Sequence, residues 1–403
     1  MEYIFSDKLA ALKPSAIREI FKSLSDPTII SFAAGNPAAE SFPVESLSRL
    51  AADIFSTNAA NALQYGATDG YTPLREAVAK RQREVFGIGC SRERGDAYTD
   101  STVIVSGGQQ GIELACKALC NEGDVVICEN PSFIGALNAF RSCGAKTVGV
   151  EMEEDGIDPD ALEHTIRENP NAKLLYLIPT FHNPTGITTS LEKRRRILEI
   201  AKRYSLPILE DNPYGELRFA GQELPTLKSL DTDGLVIYCS SFSKILSAGM
   251  RVGFVIGPEE IVTKMVVAKQ SEDVHTNLFF QMLTHRFMTE CDLDAHIASI
   301  RQLYRHKCGL MLDALQQHLP DTIRFTRPEG GLFIWCTLPE GTDMNGFVQS
   351  ALRRKVAVVP GTTFNCDTNA PSLSFRLNYS TPTDEQILEG VSRLGEAAKE
   401  FLK

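Results

Sequence analysis

At 403 residues the chain is longer than one hydrophobic core usually holds, so two domains are expected. Its composition, 43% hydrophobic and 23% charged, is that of a soluble globular protein, and no apolar run approaches the roughly 18 residues that a membrane helix needs. A net charge of −10 gives no electrostatic footprint for nucleic acid. We therefore expect a small-molecule substrate, no nucleic-acid partner and no membrane.

The cysteines and the start of the chain indicate the compartment. Ten cysteines lie scattered without a recurrent spacing, which favours reduced thiols over a disulfide framework. The first residues show no basic segment followed by an apolar core, so no secretory signal is predicted and a cytoplasmic location is expected. Cys116 and Cys120 would share a helix face, but no further Cys/His pair completes a zinc set, and no metal site is predicted.

Residues 1–30 form a polar arm. After Ser15, a candidate N-cap, apolar residues recur at helical spacing and predict a short amphipathic helix that carries Arg18. Two loops follow. Gly35 in the first would let the backbone approach a ligand closely, and Tyr65 lies in the second, just before a helix that should begin near Pro73. Taken alone, each could equally be an ordinary loop.

From residue 102 the chain alternates between strands and helices, the pattern of an α/β sheet. Residues 102–105 are a buried strand, 106–111 a glycine-rich turn, and 112–119 an amphipathic helix. Backbone N–H groups of Gly108 and Gln109 could hold a phosphate there, because the first N–H groups of a helix have no internal partner. A tight turn without a ligand is the alternative, and the G-x-G-x-x-G spacing of dinucleotide sites is absent.

Further strands are predicted at 124–128, 146–150, 173–178 and from 206. Polar side chains follow two of these strands, and ligands of open α/β sheets lie beyond the carboxyl ends of strands. These side chains are Asn183, Asp211 and Tyr214, while Phe133 follows another strand and could stack on a flat ring or pack in the core. A capping box at Thr189 and Glu192 predicts the start of a helix whose basic run, 193–196, should lie largely on its solvated face.

Aiming the Asn183 amide from a strand end requires a sharp reversal of the chain. An X-Pro bond is the one peptide bond for which the cis form costs under about 1 kcal/mol. The sequence therefore predicts a cis bond between Asn183 and Pro184.

The stretch 235–254 centres on Lys244. A buried strand, 235–238, leads into a hydroxyl-rich turn containing Ser241 and Ser243, and Arg251 follows seven residues after the lysine. Hydroxyls and a guanidinium suit a phosphate. A lysine partly desolvated and near another cation loses its proton close to neutral pH, as a Schiff-base nucleophile must. A surface turn with a solvated lysine is the alternative on this stretch alone.

Taken in order, the motifs resemble one family. The chain contains S-G-G-Q-Q-G, N-P-T-G, D-N-P-Y, S-x-S-K and M-R-V-G-F, followed by P-E-G-G-L-F-I-W, V-V-P-G and F-R-L-N-Y-S. This set, spread over nearly the whole chain, resembles the fold-type I pyridoxal-phosphate (PLP) aminotransferases of class I/II. The nearest branch is that of the 2-aminoadipate/kynurenine aminotransferases and their bacterial relatives.

The resemblance implies an α/β fold, with a mostly parallel seven-stranded sheet covered by helices on both faces and a smaller α+β domain. The implied division is an N-terminal arm at 1–30 belonging to the small domain, a large PLP-binding domain at 31–295, and a small C-terminal domain at 296–403.

The resemblance also assigns roles to the candidate site. Lys244 would carry PLP and move a proton, Asp211 would pair with the pyridine nitrogen, and Asn183 and Tyr214 would bond the phenolate oxygen. Phe133, where relatives commonly have tyrosine, would stack on the ring. The implied phosphate ligands are Gly108, Gln109, Ser241, Ser243 and Arg251, with Tyr65 reaching the phosphate of the other subunit in a homodimer with shared sites.

Substrate binding is implied in the same way. Arg376 would bind the α-carboxylate, helped by Gly35 and Asn183, and Arg18 would border the substrate side chain. The activity implied is transfer of an amino group from 2-aminoadipate, an aromatic or a branched-chain amino acid, with glutamate and 2-oxoglutarate as the second pair.

Three alternatives stay open at this stage. One is another PLP reaction on the same scaffold, such as that of a lyase or an aminocyclopropane-carboxylate synthase. A second is a non-catalytic sensor, disfavoured because only about 30 residues precede the first loop, too few for a winged helix. The third, a nucleotide-binding enzyme using the 106–111 turn, leaves Lys244, Asp211 and Arg376 without a role.

Overall fold

The computed structural model of the protein describes residues 3–10, 26–90 and 98–401. The helix predicted after Ser15, with Arg18, lies outside the described residues. None of the described helices combines the length and apolar character that crossing a membrane requires.

A large twisted sheet forms the centre of the fold. Its strands are β2 (Asp100–Val105), β3 (Val125–Asn130), β4 (Lys146–Glu153), β5 (Gly156–Ile157), β6 (Ala172–Leu177), β7 (Ile208–Asp211), β8 (Val236–Ser241) and β9 (Gly253–Pro258). The order is β2-β9-β8-β7-β6-β3-β4-β5, parallel from β8 to β4, with β9 antiparallel to both of its neighbours. The expected seven strands are present, and the two-residue β5 adds an eighth at the edge beside β4.

Helices cover both faces of this sheet. They are α2 (Val44–Ala62), α3 (Thr72–Phe86), α4 (Gly108–Leu119), α5 (Ile134–Ser142), α6 (Pro159–Glu168), α7 (Leu191–Tyr204), α8 (Leu227–Leu230), α9 (Glu259–Gln270) and α10 (Leu278–Glu290), after a one-turn α1 (Asp7–Ala10). Alternate residues of β3 face opposite cores, because strand side chains alternate in direction. Val126 and Cys128 pack with α4, α5 and α9, whereas Val125 and Ile127 pack with α6 and α7.

A smaller group of helices and strands forms the C-terminal part of the chain, after the large sheet. It contains the long helix α11 (Leu293–His318), α12 (Met344–Arg353), α13 (Asp384–Phe401), and an antiparallel sheet in the order β10 (Arg324–Phe325), β11 (Phe333–Thr337), β14 (Ser374–Asn378), β13 (Val359–Pro360). β1 (Ile30–Ser31) pairs in parallel with β12 (Val356–Ala357), which joins the segment after the arm to the C-terminal part. Helix α11 begins before the predicted domain boundary at 295/296, and the division into domains stays a prediction.

The structure corrects two local predictions around α7: the N-cap was wrong, and the basic run lies on the solvated face at Arg195 and Arg196 but not at Arg194. The N-cap is Ser190 and not Thr189, because the Ser190 hydroxyl accepts from the backbone N–H of Lys193. Arg194, in the basic run expected on the solvated face, is fully buried. It faces inward because it stands three residues before Ile197, on the same helix face.

Candidate active site

The carboxyl ends of β6, β7 and β8 meet at one edge of the large sheet, where the candidate residues gather. Ser241 ends β8, Asp211 ends β7, and Asn183 follows β6. The bond between Asn183 and Pro184 is cis, which confirms the prediction.

Lys244 stands in the turn after β8 and points into a cavity of about 310 Å³. Its Nζ donates to the backbone carbonyl of Gly35 at 2.7 Å. Burial lowers the pKa of Lys244 to about 8, and the charges of Arg376 and Arg251 add to this while Asp211 opposes it. About a tenth of this amine is therefore uncharged at pH 7, far more than for an ordinary lysine.

An anion cup lies beside the lysine, at the start of α4. The helix has no side-chain cap at Gly107, so its first N–H groups are left for a ligand. The hydroxyls of Ser241 and Ser243 lie 2.8 Å apart at the cavity wall. Arg251 closes the cup, held by a bond from its Nη2 to the Ser106 carbonyl at 3.2 Å. Hydroxyl, amide and guanidinium donors together form a site for a phosphate group.

Asp211 is the carboxylate of the cavity. It is 4% exposed, and its Oδ2 accepts a hydrogen bond from the Tyr176 hydroxyl at 2.7 Å. Burial raises the pKa of Asp211 to about 7, and the charge of Glu129 adds to the rise, whereas the Tyr176 bond and Lys244 lower it.

Arg376 lies on β14 and reaches the cavity from the smaller sheet. Its Nη1 donates to Asn183 Oδ1 and its Nη2 to the Ala33 carbonyl, both at 2.8 Å, while its Nε has no hydrogen-bond partner among the described residues. The guanidinium carbon lies 4.3 Å from the ring centre of Phe333 and 5.0 Å from that of Phe364. Burial lowers the pKa of Arg376 to about 10, so the group stays cationic at neutral pH.

Tyr214 follows Asp211 by three residues and is 4% exposed. Burial raises its pKa and the Asp211 charge adds to the rise, while Arg376 and Asn183 oppose it. The phenol is therefore a neutral hydrogen-bonding group at physiological pH.

The cavity brings together most of the side chains singled out in the sequence. Its lining includes Gly35, Gly108, Gln109, Phe133, Asn183, Asp211, Tyr214, Ser241, Ser243, Lys244, Arg251 and Arg376. Tyr65 lies elsewhere, 80% exposed and in edge contact with the His275 ring at 5.7 Å between ring centres. Arg18 lies outside the described residues.

Sequence reasoning missed the residues that surround this set. Tyr176 sits in an apolar strand run, where a tyrosine indicates core packing, and only the strand register shows that it meets Asp211. Phe333 and Phe364 flank Arg376, and both lie in or next to motifs of the C-terminal part, residues 328–335 and 358–361. Their place beside motifs was a signal that could have found them.

A lysine with a lowered pKa, a buried carboxylate and an anion cup at the carboxyl ends of parallel strands define an enzyme site for a phosphate-bearing cofactor. The chain matches the family described as aminotransferase class I and II over residues 27–394, and it belongs to that family.

Named relatives agree over the full length. The chain is 38% identical to aromatic-amino-acid aminotransferase 1 of Thermococcus litoralis, covering 100% of this chain and 95% of the relative. It is 40% identical to 2-aminoadipate transaminase of Thermus thermophilus, covering 99% and 97%. The crystal structure of Pyrococcus horikoshii kynurenine aminotransferase superposes with a TM-score of 0.93 at 37% identity, covering 99% of this chain and 98% of the other. The protein is a PLP-dependent aminotransferase.

The residues of the cavity fit this cofactor. The uncapped start of α4, the two serine hydroxyls and Arg251 supply donors for a phosphate, and Lys244 supplies an amine that is partly uncharged near neutral pH. Asp211 has one oxygen, Oδ1, that no donor among the described residues occupies. An aromatic side chain, Phe133, lines the same cavity.

Proposed function

We propose that this aminotransferase moves the amino group of an L-amino acid of the 2-aminoadipate, aromatic or branched-chain type to a 2-oxo acid, with glutamate and 2-oxoglutarate as the second pair. The observation that carries the proposal is Arg376, a buried cation flanked by two aromatic rings in the same cavity as Lys244. The relatives named for aromatic amino acids and for 2-aminoadipate support this range of substrates.

Arg376 would bind the α-carboxylate. A guanidinium has five N–H groups, and Asn183 and Ala33 use two of them. The Nε–H and one N–H on each Nη remain, which suffices for a two-point contact with a carboxylate. The bonds to Asn183 and Ala33 hold the guanidinium in place before substrate arrives, and Gly35 and Asn183 line the same cavity.

The cofactor-binding roles follow from position. When bound, PLP supplies an electron-poor ring that stabilises negative charge at the substrate α-carbon. Lys244 would hold it through Nζ and, as a free amine, would move a proton between the substrate α-carbon and the cofactor carbon. Asp211 would face the ring nitrogen, and Asn183 and Tyr214 the phenolate oxygen. Phe133 would stack on the ring, and the donors of the anion cup would bind the phosphate.

The protein would work as a homodimer, with Tyr65 reaching the phosphate in the partner subunit. Apolar side chains around Tyr65 support such an interface: Leu63 is 72% exposed, and Phe55, 48% exposed, stacks on Phe279 with 4.7 Å between ring centres. The protein would be cytoplasmic, supported by its cysteines, none of which is in a disulfide in the part of the chain that the structure describes. The C-terminal part and the arm would form a small domain that closes over the site.

Arg18 would select among side chains. An arginine at this position can meet a carboxylate or turn outward for an apolar group, which would allow both acidic and hydrophobic substrates. Arg18→Ala should raise KM for glutamate and 2-aminoadipate much more than for leucine or phenylalanine. Equal changes for both classes would reduce Arg18 to a surface charge, worth under about 1 kcal/mol in any ion pair it forms.

The experiment that tests the proposed activity is a panel of amino donors added singly to the PLP-loaded enzyme, without a 2-oxo acid. Each true donor converts the cofactor to its pyridoxamine form, which changes the visible absorption, and leaves one equivalent of 2-oxo acid. Conversion by 2-aminoadipate, aromatic or branched-chain amino acids and by glutamate is expected. If an added amino acid is consumed but the 2-oxo acid derived from it is not formed, the protein carries out another PLP reaction.

A further inference from the structure

The strand register places Tyr176 next to Asp211. In the parallel pair of β6 and β7, Tyr176 is level with Leu209, so Asp211 stands two residues further along on the same face of the sheet. Side chains in this diagonal relation are within reach of a long aromatic residue. The Tyr176 hydroxyl donates to Asp211 Oδ2 at 2.7 Å, and Tyr176 is fully buried.

This bond divides the two oxygens of the carboxylate between two tasks. Oδ2 is occupied by Tyr176, and among residues 3–10, 26–90 and 98–401 no other donor bonds Asp211. Because Asp211 lines the cavity, Oδ1 is the oxygen left for a ligand. A carboxylate bonded at one oxygen cannot rotate freely, so the bond also fixes the direction of the other.

The groups around Asp211 have opposing effects on its ionisation. Burial and the nearby carboxylate of Glu129 favour the protonated acid, whereas the Tyr176 bond and the charge of Lys244 favour the ionised form. Glu129 is 1% exposed; its Oε2 accepts from the Ile178 backbone N–H at 2.7 Å and lies 3.2 Å from His182 Nε2. In the described part of the chain, the phenol of Tyr176 is the one neutral donor that bonds the Asp211 side chain, and this bond is charge-assisted.

We propose that Tyr176 is a positioning residue of this aminotransferase, which holds Asp211 ionised against the charge of Glu129 and directs Oδ1 towards the cofactor ring nitrogen. This inference rests on the proposed pairing of Asp211 with that nitrogen. Tyr176 acts through Asp211 and need not touch cofactor or substrate.

The first test compares Tyr176→Phe with Tyr238→Phe. Tyr238, on the next strand but one, is 1% exposed and accepts a bond from Asn212 Nδ2 at 3.0 Å, so its variant loses an equally buried hydroxyl without touching Asp211. Loss of a charge-assisted bond should weaken PLP binding roughly ten-fold or more at pH 7. The difference in PLP affinity between Tyr176→Phe and the wild type should become smaller towards pH 9, because Asp211 is ionised in both proteins there. Tyr238→Phe should bind PLP like the wild type at every pH.

The second test asks whether the effect is electrostatic. Glu129→Gln removes the charge that opposes ionisation of Asp211 but keeps an oxygen that can accept from Ile178. In Tyr176→Phe/Glu129→Gln, PLP affinity at pH 7 should recover by several-fold relative to Tyr176→Phe alone. If both substitutions acted only by disturbing the structure, their effects on PLP affinity would add. The double variant would then bind PLP more weakly than either single variant.

Asp211→Asn separates failure of this inference from failure of the proposed site. If Asp211→Asn leaves PLP affinity and the pH dependence of the bound cofactor's absorption unchanged, the role proposed for Asp211 is itself wrong. If Asp211→Asn weakens binding but Tyr176→Phe behaves like Tyr238→Phe at all pH values, Tyr176 is a packing residue and only the present inference falls. Thermal unfolding of each variant identifies any that fails to fold, and the pH dependence within one variant does not depend on its absolute stability.

Discussion

At the scale of single residues, burial moves two ionisable groups of the cavity towards neutral pH from opposite sides. It lowers the pKa of Lys244 to about 8 and raises that of Asp211 to about 7, because removal from water disfavours whichever form is charged. The two shifts suit different tasks: a lysine must be uncharged to bond a carbonyl carbon, and a carboxylate that titrates near neutral pH is sensitive to every neighbouring donor. Such pairs of shifted values cluster at functional sites.

The lowered pKa of Lys244 predicts how apoenzyme takes up PLP. Only the unprotonated amine reacts, so the rate of uptake should rise with pH below about 8 and level off above it. An ordinary lysine amine, with a pKa of about 10.4, would give a rate still rising at pH 9. The rate is measured from the visible absorption after mixing, and the reaction of PLP with Nα-acetyl-lysine corrects for the ionisation of PLP itself. A profile parallel to that of the free amine would contradict the assignment of Lys244.

At the scale of elements, the start of α4 depends on one glycine. Gly107 has φ +82°, and a Cβ there would lie 2.2 Å from Arg251 Nη2. Gly107→Ala should therefore displace Arg251 from the anion cup and weaken PLP binding by roughly ten-fold, the worth of a charge-assisted contact. Pyridoxal, which lacks the phosphate, should lose much less affinity.

Gly123 offers a matched control for this substitution. It has φ +87°, so alanine causes the same kind of backbone strain, but a Cβ there would meet nothing within 4 Å. Gly123→Ala should lower stability without changing the ratio of PLP to pyridoxal affinity. A similar change of that ratio in both variants would mean that strain, and not the contact with Arg251, controls the cup.

Helix α7 is tied to the loop that carries Asn183 through Arg194. The buried guanidinium donates to the carbonyls of Pro179, Thr189 and Pro225 and to the Thr180 hydroxyl. Arg194→Met leaves these acceptors without a partner, and we expect a loss of about 3 kcal/mol in the free energy of unfolding. The neighbouring Arg195 is exposed, so Arg195→Met should change stability by under about 0.5 kcal/mol. Denaturant unfolding measures both, and equal losses would show that Arg194 does not anchor the loop.

At the scale of the whole molecule, the sequence predicted what local patterns encode. Lys244, Asp211 and Asn183 could be found because each follows an apolar strand, and the helical spacing of α7 also held the signal that Arg194 faces inward. The contact of Tyr176 with Asp211 depends on the register of β6 against β7, and the sandwich of Arg376 between Phe333 and Phe364 depends on how distant segments pack. Neither register nor packing is a property of a short stretch of sequence.

Tyr65 raises the remaining question, because its proposed role needs a second chain. It is 80% exposed and outside the cavity that holds Lys244. If each site takes Lys244 from one subunit and Tyr65 from the other, a hybrid of a Lys244→Ala subunit with a Tyr65→Ala subunit contains one intact site. Both parent homodimers should be impaired, and the hybrid should have roughly half the wild-type activity per dimer.

The mirror-image hybrid provides the control. In this hybrid, a subunit with both Lys244→Ala and Tyr65→Ala is paired with a wild-type subunit. If the sites are shared, the one remaining Lys244, from the wild-type subunit, is in a site completed by the other subunit, which carries Tyr65→Ala. Shared sites therefore predict low activity for this second hybrid, although it carries the same two substitutions per dimer as the first. Co-expression with two different affinity tags isolates each hybrid for a standard transamination assay. If the second hybrid is the active one and the first is not, Tyr65 serves the site of its own subunit, and the proposal of sites shared through Tyr65 is wrong.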